Sequence, residues 1–503
     1  MLFNSYEFIF FFLPATLLVY QFIGIQGHSR IAIVWLIGAS LFFYGWWNPI
    51  YLSLIILSIL INYWIGVLLC GVSKSFRKKL LLIIGITVNL GLLGYYKYTN
   101  FVVETLAVIL GKEFAQTQIV LPLAISFFTF QQIAYLVDAY RGSAKGYSFL
   151  HYSLFVTFFP QLIAGPIVHH KEMMPQFTGG AISRIGSKYL ASGLSIFVVG
   201  LFKKVIIADK IALYARPVFE AAEQGASLTF FEAWGGAFSY TFQLYFDFSG
   251  YSDMAVGIAC MFGVILPINF FSPYKANNII EFWRRWHITL SRFLLNCLYI
   301  PLGGNRHGEL RRYVNILFTM LLGGLWHGAG WSFVIWGGLH GCYLVINHIW
   351  HLIKGAIFDE NMAKMNITCC ILGRFITFAA VVVAWVLFRA KTLGGAMKMY
   401  EGMLAMNGDG ISASVNRLGL FGDGYGLVIF IALLLLVWFA PNTYQWAQQH
   451  MKDIRMAGLE GEIRGMTRIP WRPNQMWAIL IAVLATLSFL ALGQVSEFLY
   501  FNF

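Results

Sequence analysis

Apolar stretches recur along this chain almost from end to end, and each is close to the roughly 20 residues that an α-helix needs to cross a bilayer. Of the 503 residues, 59% are hydrophobic and 11% are charged. Soluble domains are about 45–50% apolar and about 25% charged, so this composition excludes an ordinary soluble fold. The sequence therefore predicts an all-α polytopic membrane protein.

The apolar stretches predict on the order of a dozen spans, some of them re-entrant or interfacial. We interpret the first as a retained helix, because Glu7 rather than Lys or Arg precedes its apolar run and no small-residue cleavage site follows. The candidate spans are 6–26, 31–48, 50–71, 80–96, 119–138, 148–168, 189–208, 230–248, 252–270, 313–328, 330–350, 372–390, 427–440 and 477–493.

The charges between the apolar runs predict the topology. The formal net charge is +13, and no nucleic-acid-binding motif accompanies it. "GHSR" after the first span and "SKSFRKK" after the third lie on one side, whereas "WWNPIY" after the second carries no charge. Basic loops stay in the cytoplasm, so we expect the N-terminus on the outer face.

We expect a single transmembrane domain over residues 1–503 with two soluble insertions. The first, about 390–424, has the apolar spacing of one amphipathic helix followed by Gly/Asp turns. The second, about 445–475, is polar and of mixed charge. The six cysteines lack CxxC or zinc-type spacing, and His169 and His170 lack further ligands at metal spacing, so no metal is expected.

Residues 273–312 combine many basic side chains with tryptophans and phenylalanines. The i,i+4 spacing of Glu281 and Arg285 allows an ion pair on a helix, and the apolar pattern predicts an amphipathic helix at a membrane interface. The large apolar residues near one face of that helix are Trp283, Trp286, Leu290 and Phe293.

Two interpretations of this basic segment stay open. It could be an anchor that holds lipid headgroups, since Trp and Arg are common at membrane interfaces. Alternatively, it forms a cytoplasmic mouth for an anionic, phosphate-bearing donor, because the guanidinium fork matches phosphate oxygens. In the second case His287 could line the entrance, and the donor-binding residues are Arg284, Arg285, Arg292 and Trp286.

Two aspartates interrupt the apolar run "QLYFDFSGYSDMAVG" at 243–257. Charged groups at bilayer depth are costly and normally face the protein interior or water. Asp247 or Asp253 could pair with an arginine, orient a histidine or hold local structure, and the sequence does not choose among these. For Ser249 and Ser252 we favour a structural role, such as capping a helix near Gly250.

His327 lies in "LLGGLWHGAGW", an apolar stretch rich in glycine. Gly324 and Gly328 are four residues apart, as are Gly337 and Gly341, and small residues at this spacing let helices approach closely. An ionisable side chain inside the membrane is a functional candidate by default. Burial would hold the ring neutral and ready to accept a proton, so we expect His327 to act in catalysis or proton handling.

The missing motifs narrow the chemistry. The chain has no GxSxG nucleophile elbow, no P-loop and no Gly-rich dinucleotide fingerprint. No histidine is followed five residues later by aspartate, and no serine or cysteine nucleophile lies beside His327 in sequence.

The chain resembles the membrane-bound O-acyltransferase family, most closely its bacterial branch that O-acetylates exported polysaccharides. The resemblance rests on "QLYFDFSGYSDMAVG", "EFWRRWHITLSRFL", "YIPLGGNRHG", "MLLGGLWHGAGWSFVIWGGLHG" and "VVAWVLFRA", with further matches in "KYTNF", "LPLAISFFTFQQIAYLVD", "FPQLIAGPIV" and "FLYFNF". It extends over nearly the whole chain.

The resemblance implies a ring of tilted transmembrane helices, with re-entrant or interfacial helices around a central tunnel. It implies that His327 is the catalytic histidine and His287 a second active-site residue, with Asp247, Asp253, Trp326 and Trp331 as tunnel or support residues. An acyl thioester donor such as acetyl-CoA would enter from the cytoplasm, without a bound cofactor. The acceptor would approach from outside, through an SGNH-type acetyltransferase partner and the polysaccharide export machinery at the bacterial inner membrane.

Several functions remain alternatives at this point. Alginate is the first expectation for the polymer, but after "WHGA" this chain has Gly330 and Trp331 where that branch usually continues with Asn. Cellulose or another cell-envelope polymer fits the same core motifs, as does D-alanyl transfer to teichoic acid. Outside catalysis, the chain could transport an acyl group or serve as scaffold of an export complex.

Overall fold

The computed structural model describes the chain except residues 74, 113, 116–117, 145–146, 179–185, 358–366, 408–418, 422–423, 448–470, 494–498 and 500–503. The described residues form helices and no strand, which confirms the all-α prediction. The first ten helices are α1 Leu13–Ile25, α2 Ser29–Gly45, α3 Ile50–Gly71, α4 Ser75–Leu93, α5 Thr99–Leu110, α6 Ile125–Tyr140, α7 Phe149–Thr157, α8 Phe159–Leu162, α9 His170–Thr178 and α10 Ser187–Phe202.

The remaining helices carry the histidine motifs. They are α11 Asp209–Glu223, α12 Phe230–Met261, α13 Ile279–Arg285, α14 Ile288–Leu294, α15 Glu309–His327, α16 Trp331–Ile357, α17 Ile367–Arg389, α18 Leu393–Met403, α19 Gly426–Phe439, α20 Thr443–Ala447 and α21 Gln475–Ala491. In the described part of the chain, π-helical turns occupy Phe8–Phe12, Gly94–Tyr98, Lys203–Ala208 and Leu295–Tyr299, and a 3-10 turn occupies Pro273–Lys275.

The helices group into two compact units, each built from discontinuous segments. Unit 1 comprises Met1–Leu201, Tyr251–Ile268 and Ala447–Leu492, and unit 2 comprises Phe202–Gly250, Asn269–Trp446 and Gly493–Phe503. Both His287 and His327 therefore belong to unit 2.

Within the described residues, five helical stretches are long and apolar enough to cross a membrane, and the chain is a multi-pass membrane protein. Three shorter apolar helices add to them. The five stretches are Phe8–Ile25, Ile50–Gly71, Ser75–Leu110, Ser187–Glu223 and Thr368–Arg389, and the shorter helices are Ser29–Gly45, Gly426–Phe439 and Gln475–Ala491.

Three of the predicted spans had wrong boundaries. The stretch predicted at 148–168 is broken at Phe158, where α7 ends before Pro160, because proline inside a helix removes a backbone hydrogen bond and clashes with the preceding turn. The spans predicted at 230–248 and 252–270 are instead one helix of 32 residues, α12. Gly250 lies within α12 and does not interrupt it, since a single glycine costs a helix only about 1 kcal/mol relative to alanine.

The two segments predicted as soluble insertions are described only in part. The amphipathic helix predicted near the start of the first insertion is confirmed as α18, whose N-cap Thr392 accepts a hydrogen bond from the Gly395 amide at 3.0 Å. The turns expected at 408–418 and most of the second insertion, 448–470, lie outside the described residues.

Helices α15 and α16 form a hairpin in which glycines bring the backbones together. A β-carbon on Gly324 would overlap the carbonyl oxygen of Phe333 and lie 3.0 Å from Cα of Gly337. A β-carbon on Gly341 would lie 3.0 Å from the Leu317 side chain. The close packing predicted from the glycine spacing is confirmed, and it fixes His327 as the last residue of α15 against the first turns of α16.

Candidate active site

The basic segment is two short helices, and the break between them is at His287. The single amphipathic helix predicted here was wrong, because His287 has a left-handed backbone (φ 43°, ψ 52°) that ends α13 and starts α14. Each helix has 7 residues, too few to cross a bilayer. Only a few non-glycine residues adopt this conformation, and histidine is among the more tolerant, so the surrounding structure must hold it in place.

Asn269 holds the break together. Its Oδ1 accepts hydrogen bonds from the Thr289 hydroxyl at 2.9 Å and the Thr289 amide at 3.4 Å, and it lies 3.1 Å from Nδ1 of His287. The backbone of Asn269 also contacts the break, since the Ile288 amide donates a hydrogen bond to the Asn269 carbonyl at 2.9 Å. Because Oδ1 can only accept, it selects the tautomer in which Nδ1 of His287 carries the proton and Nε2 the lone pair.

His287 and His327 lie together in the interior of unit 2. Their ring centroids are 6.2 Å apart, and the exposed fractions of His287 and His327 are 0% and 3%. Burial lowers the pKa of the His287 imidazole to about 3, so this ring is neutral at physiological pH. The described structure therefore brings together two histidines that are 40 residues apart in sequence.

Aromatic side chains surround the two imidazoles. Trp326 contacts both, with its ring 4.8 Å from that of His327 and 5.9 Å from that of His287. Trp336 of α16 and Phe388 of α17 each lie 5.2 Å from the His327 ring, and Phe248 of α12 lies 4.8 Å from the His287 ring. This environment excludes water and strengthens any electrostatic interaction inside it. In the described residues no cluster of three or more His, Cys, Asp or Glu could hold a metal ion.

The predicted donor-binding residues occupy different environments. Arg284 is exposed, and Arg292 is half-buried in the last turn of α14. Arg285 forms the expected i,i+4 ion pair with Glu281 at 2.7 Å. Trp286 is 1% exposed, and its ring lies 4.9 Å from those of both Phe270 and Trp385, so it packs in the core of unit 2 and does not line a surface mouth.

Asp247 belongs to a buried ion cluster. Its carboxylate lies 2.5 Å from Nζ of Lys204, which also contacts Asp209 at 2.7 Å. The other oxygen of Asp247 accepts a hydrogen bond from the Leu499 amide at 3.2 Å. Of the roles considered for Asp247, pairing with a cation is the one observed, although the cation is a lysine and not an arginine.

The other predicted support residues differ in burial. Asp253 is 3% exposed on the part of α12 that belongs to unit 1. Trp326 is 4% exposed and contacts both imidazoles, whereas Trp331, the first residue of α16, is 52% exposed.

Two of these site residues, Asn269 and Lys204, were missed by sequence reasoning. Asn269 lies in "LPINFF" and Lys204 in "LFKKVI", short polar interruptions whose partners are remote in sequence. One signal was available for Lys204: it is a second basic residue inside an apolar stretch, and such a residue needs an interior partner.

Comparison with known proteins identifies the family. Residues 139–388 match the membrane-bound O-acyltransferase family. The chain is 48% identical to the peptidoglycan O-acetyltransferase of Helicobacter pylori over 81% of this chain and 80% of that one, and 38% identical to the probable alginate O-acetylase of Pseudomonas putida over the full length of both. It is also 28% identical to the teichoic acid D-alanyltransferase of Streptococcus thermophilus over 53% of this chain and 68% of that one. The chain therefore belongs to the membrane-bound O-acyltransferase family and is an acyltransferase.

Proposed function

We propose that this acyltransferase moves acetyl groups from a cytoplasmic thioester donor for O-acetylation of a cell-envelope or exported polysaccharide. The observation that carries the proposal is the pair of buried imidazoles 6.2 Å apart, in a chain that is 48% identical to a peptidoglycan O-acetyltransferase. We infer that two rings this close can act on the same bound group.

In the proposed reaction His327 is the general base. It takes the proton from an acceptor hydroxyl while that oxygen attacks the carbonyl carbon of the thioester. The new C–O ester bond forms as the C–S bond breaks, and the departing thiolate receives the proton from the His327 imidazolium. A placed histidine contributes about 10²–10⁴-fold in such a step, and fixing both reactants in one site adds orientation.

His287 is the proposed second active-site residue. The tautomer selected by Asn269 leaves Nε2 with its lone pair, and the low pKa keeps the ring uncharged. Nε2 of this neutral ring can accept a hydrogen bond from the hydroxyl group that receives the acyl group. The ring can in this way orient the hydroxyl or relay its proton without adding charge to the aromatic site. His287 has a left-handed backbone, and a strained conformation of this kind persists only where many surrounding contacts hold it. The same contacts would hold the ring in a fixed position.

The donor is proposed to be an acyl thioester such as acetyl-CoA, whose phosphates would be drawn by the exposed Arg284 and by Arg292. Arg285 is partly neutralised by Glu281, so we expect it to contribute less. The burial of Trp286 argues for a packing role instead of contact with the donor.

The names of the relatives support two candidate polymers. Peptidoglycan is the first candidate because that relative is 48% identical, and alginate is the second because the relatives named for it are 38–40% identical. Acetyl could pass directly to the sugar or through a hydroxyl on an SGNH-type partner outside the membrane. We place the chain in the bacterial inner membrane with its N-terminus in the periplasm.

The test uses a deletion strain complemented with the wild-type chain or with His327→Ala. Alkali-released acetate is measured in purified peptidoglycan and in exported polysaccharide, with D-alanine ester in the same fractions. The wild type should restore acetate in one polymer, and His327→Ala, at equal membrane abundance, should restore none. Normal acetate with His327→Ala would refute the catalytic role and leave transport or scaffolding, and restored D-alanine in place of acetate would refute the donor class.

A further inference from the structure

The stretch of unit 2 that leads into α13 runs along one side of α17. The Tyr274 ring lies 5.3 Å from the Phe378 ring. A β-carbon on Gly373 would lie 2.5 Å from the carbonyl oxygen of Asn277, closer than real β-carbons approach other atoms. The two segments are therefore in direct contact, and side chains that lie between these two contacts are close together.

Three basic side chains meet at this crossing. Lys275 and Arg374 lie between the two contacts, and Arg285 is the last residue of α13. Burial lowers the pKa of Lys275, and the nearby Arg374 and Arg285 guanidinium groups lower it further. Like charges have this effect on one another when they are close and partly removed from water. The crossing therefore concentrates positive charge.

The acidic groups at the crossing do not balance the basic ones. Glu281 pairs with Arg285 through one carboxylate oxygen at 2.7 Å, and its other oxygen accepts a hydrogen bond from a backbone amide at 2.8 Å. Lys275 donates to the carbonyl of Ala440 at 2.7 Å, which is a neutral acceptor. Among the described residues, Arg374 has neither a hydrogen bond nor an ion pair. Three cations and one carboxylate give this group a formal charge of +2.

All three basic side chains are only partly buried. Lys275, Arg285 and Arg374 are each half-buried, so part of each side chain can be reached from outside the protein. An excess of charge in a fully buried position would be very costly, and the same charges fully in water would be screened. Partial burial leaves the cations accessible to an anion and strengthens their attraction for it.

We propose that Lys275, Arg374 and Arg285 form a binding site for a phosphate group with two negative charges. A guanidinium group donates two parallel hydrogen bonds to phosphate oxygens, and the lysine ammonium group adds a compact positive charge. Arg285 contributes least, because Glu281 partly neutralises it. A phosphomonoester or a diphosphate balances the charge of the site, whereas a phosphodiester, with one negative charge, leaves part of it uncompensated.

Two kinds of molecule could bring such a phosphate group. Coenzyme A carries a diphosphate and a phosphomonoester, and phosphatidic acid carries a phosphomonoester at the membrane surface. We favour the donor, because Arg285 lies two residues before His287 and the same backbone pairing holds both. The Phe271 amide donates to the Arg285 carbonyl at 2.9 Å, and the Ile288 amide donates to the Asn269 carbonyl at the same distance. The choice of the donor rests on the proposed function, whereas the phosphate site does not.

Inorganic pyrophosphate is the probe, because it carries the required charge without a nucleotide or a lipid. Calorimetric titration of the full chain in detergent at low salt measures its affinity. Arg374→Met should weaken binding about tenfold, the equivalent of one lost hydrogen bond to a charged group. The matched control is Arg216→Met, which removes a cation of unit 2 that is paired with Glu220 and should leave the affinity unchanged. Equal affinities of the wild type and Arg374→Met would overturn the proposal.

Two further measurements test the sign of the charge effect. Glu281→Gln keeps an oxygen for the backbone amide and removes the negative charge beside Arg285, so pyrophosphate should bind about fivefold tighter. Without pyrophosphate, Arg374→Met should unfold at the same Tm as the wild type or at a higher one, because one of three like charges is gone. Weaker binding in Glu281→Gln, or a lowered Tm in Arg374→Met, would make these residues structural and overturn the assignment.

Competition against pyrophosphate identifies the source of the phosphate. We expect coenzyme A to displace pyrophosphate from the wild type and phosphatidic acid at the same concentration not to do so. Displacement by phosphatidic acid alone would support the phosphate site and overturn the choice of the donor, and displacement by neither would overturn both. His327→Ala should bind pyrophosphate as the wild type does, so the acetate assay and the binding assay can fail independently.

Discussion

Unit 2 buries two clusters of ionisable side chains, and they are stabilised in different ways. In one cluster Lys204 lies 2.5 Å from Asp247 and 2.7 Å from Asp209, so each charge faces an opposite charge. In the other, His287 and His327 are surrounded by aromatic rings, and a neutral amide, Asn269, orients the first of them. The ion cluster pairs one lysine with two aspartates, whereas burial keeps the His287 imidazole uncharged without an opposite charge on Asn269. Burial of an ionisable residue in a membrane protein therefore does not by itself indicate a catalytic role. The better indication is how the charge is avoided: by pairing with an opposite charge or by keeping the group in its neutral form.

The largest expected effect on stability comes from breaking the ion cluster. Lys204→Met would remove the buried cation that contacts Asp247 and Asp209, and removing one partner of a buried ion pair costs about 3–5 kcal/mol. Thermal unfolding in detergent should show a strongly lowered Tm and a loss of monodisperse protein. Asp247→Asn is the milder control, since Lys204 then keeps Asp209. A His327→Gln variant should retain far more stability than Lys204→Met, and the opposite order would invalidate the comparison.

A smaller effect is expected from removing the amide that orients His287. Asn269→Leu takes the acceptor away from the His287 ring and from both donors of Thr289, which costs about 1–3 kcal/mol for the groups left unsatisfied. If His287 acts in the reaction, the acetyl-transfer rate should fall about tenfold or more, because the ring loses its fixed tautomer. The rate per folded molecule in vesicles measures this. An unchanged rate would make the contact purely structural.

Asn269→Asp gives His287 a carboxylate partner, as Lys204 has in the ion cluster. The new carboxylate favours the imidazolium and raises the pKa of His287 from about 3. The wild type should lose no activity through His287 between pH 5 and 8, whereas the variant should lose activity as the pH falls through the raised pKa and recover as it rises. The pH profile of the transfer rate tests this sign. A profile identical to the wild type would show that the charge on His287 does not affect the reaction.

The smallest effect on stability is expected from breaking a solvent-exposed ion pair. Arg216 and Glu220 on α11 are 2.7 Å apart, but their side chains are 55% and 51% exposed. Exposed pairs contribute about 0–1 kcal/mol, so Arg216→Ala should hardly shift the Tm. A loss as large as that of Lys204→Met would show that burial does not set the cost of losing an ion-pair partner.

The sequence predicted local features well because they depend on local physics. The apolar runs placed most helices within a few residues, and the glycine spacing in α15 and α16 predicted the backbone contact at Gly324 and Gly337. Single residues at which the chain changes direction were harder to predict from the sequence. His287 reads as one more residue of an amphipathic helix, and only the contacts of Asn269, Thr289 and Ile288 explain why the helix ends there.

The sequence singles out His327 and His287 as candidate site residues, a prediction that stands untested, and it does not predict their contacts. His327 and His287 were identified by the motifs around them, but their separation depends on a packing arrangement of α13, α15 and α16 that no periodicity encodes. Lys204 and Asp247 are 43 residues apart, and Asn269 and His287 are 18 apart. Pairings of this kind follow from tertiary structure, so a single sequence cannot specify them.

The left-handed backbone at His287 has a consequence for how this enzyme can decay in evolution. Asparagine and aspartate tolerate the same conformation, and each is one nucleotide change from a histidine codon. Either replacement would let α13 and α14 keep their break while the imidazole disappears. If His287 acts in the reaction as proposed, lineages that no longer need the reaction could lose it by a single substitution at position 287 that leaves a well-folded membrane protein.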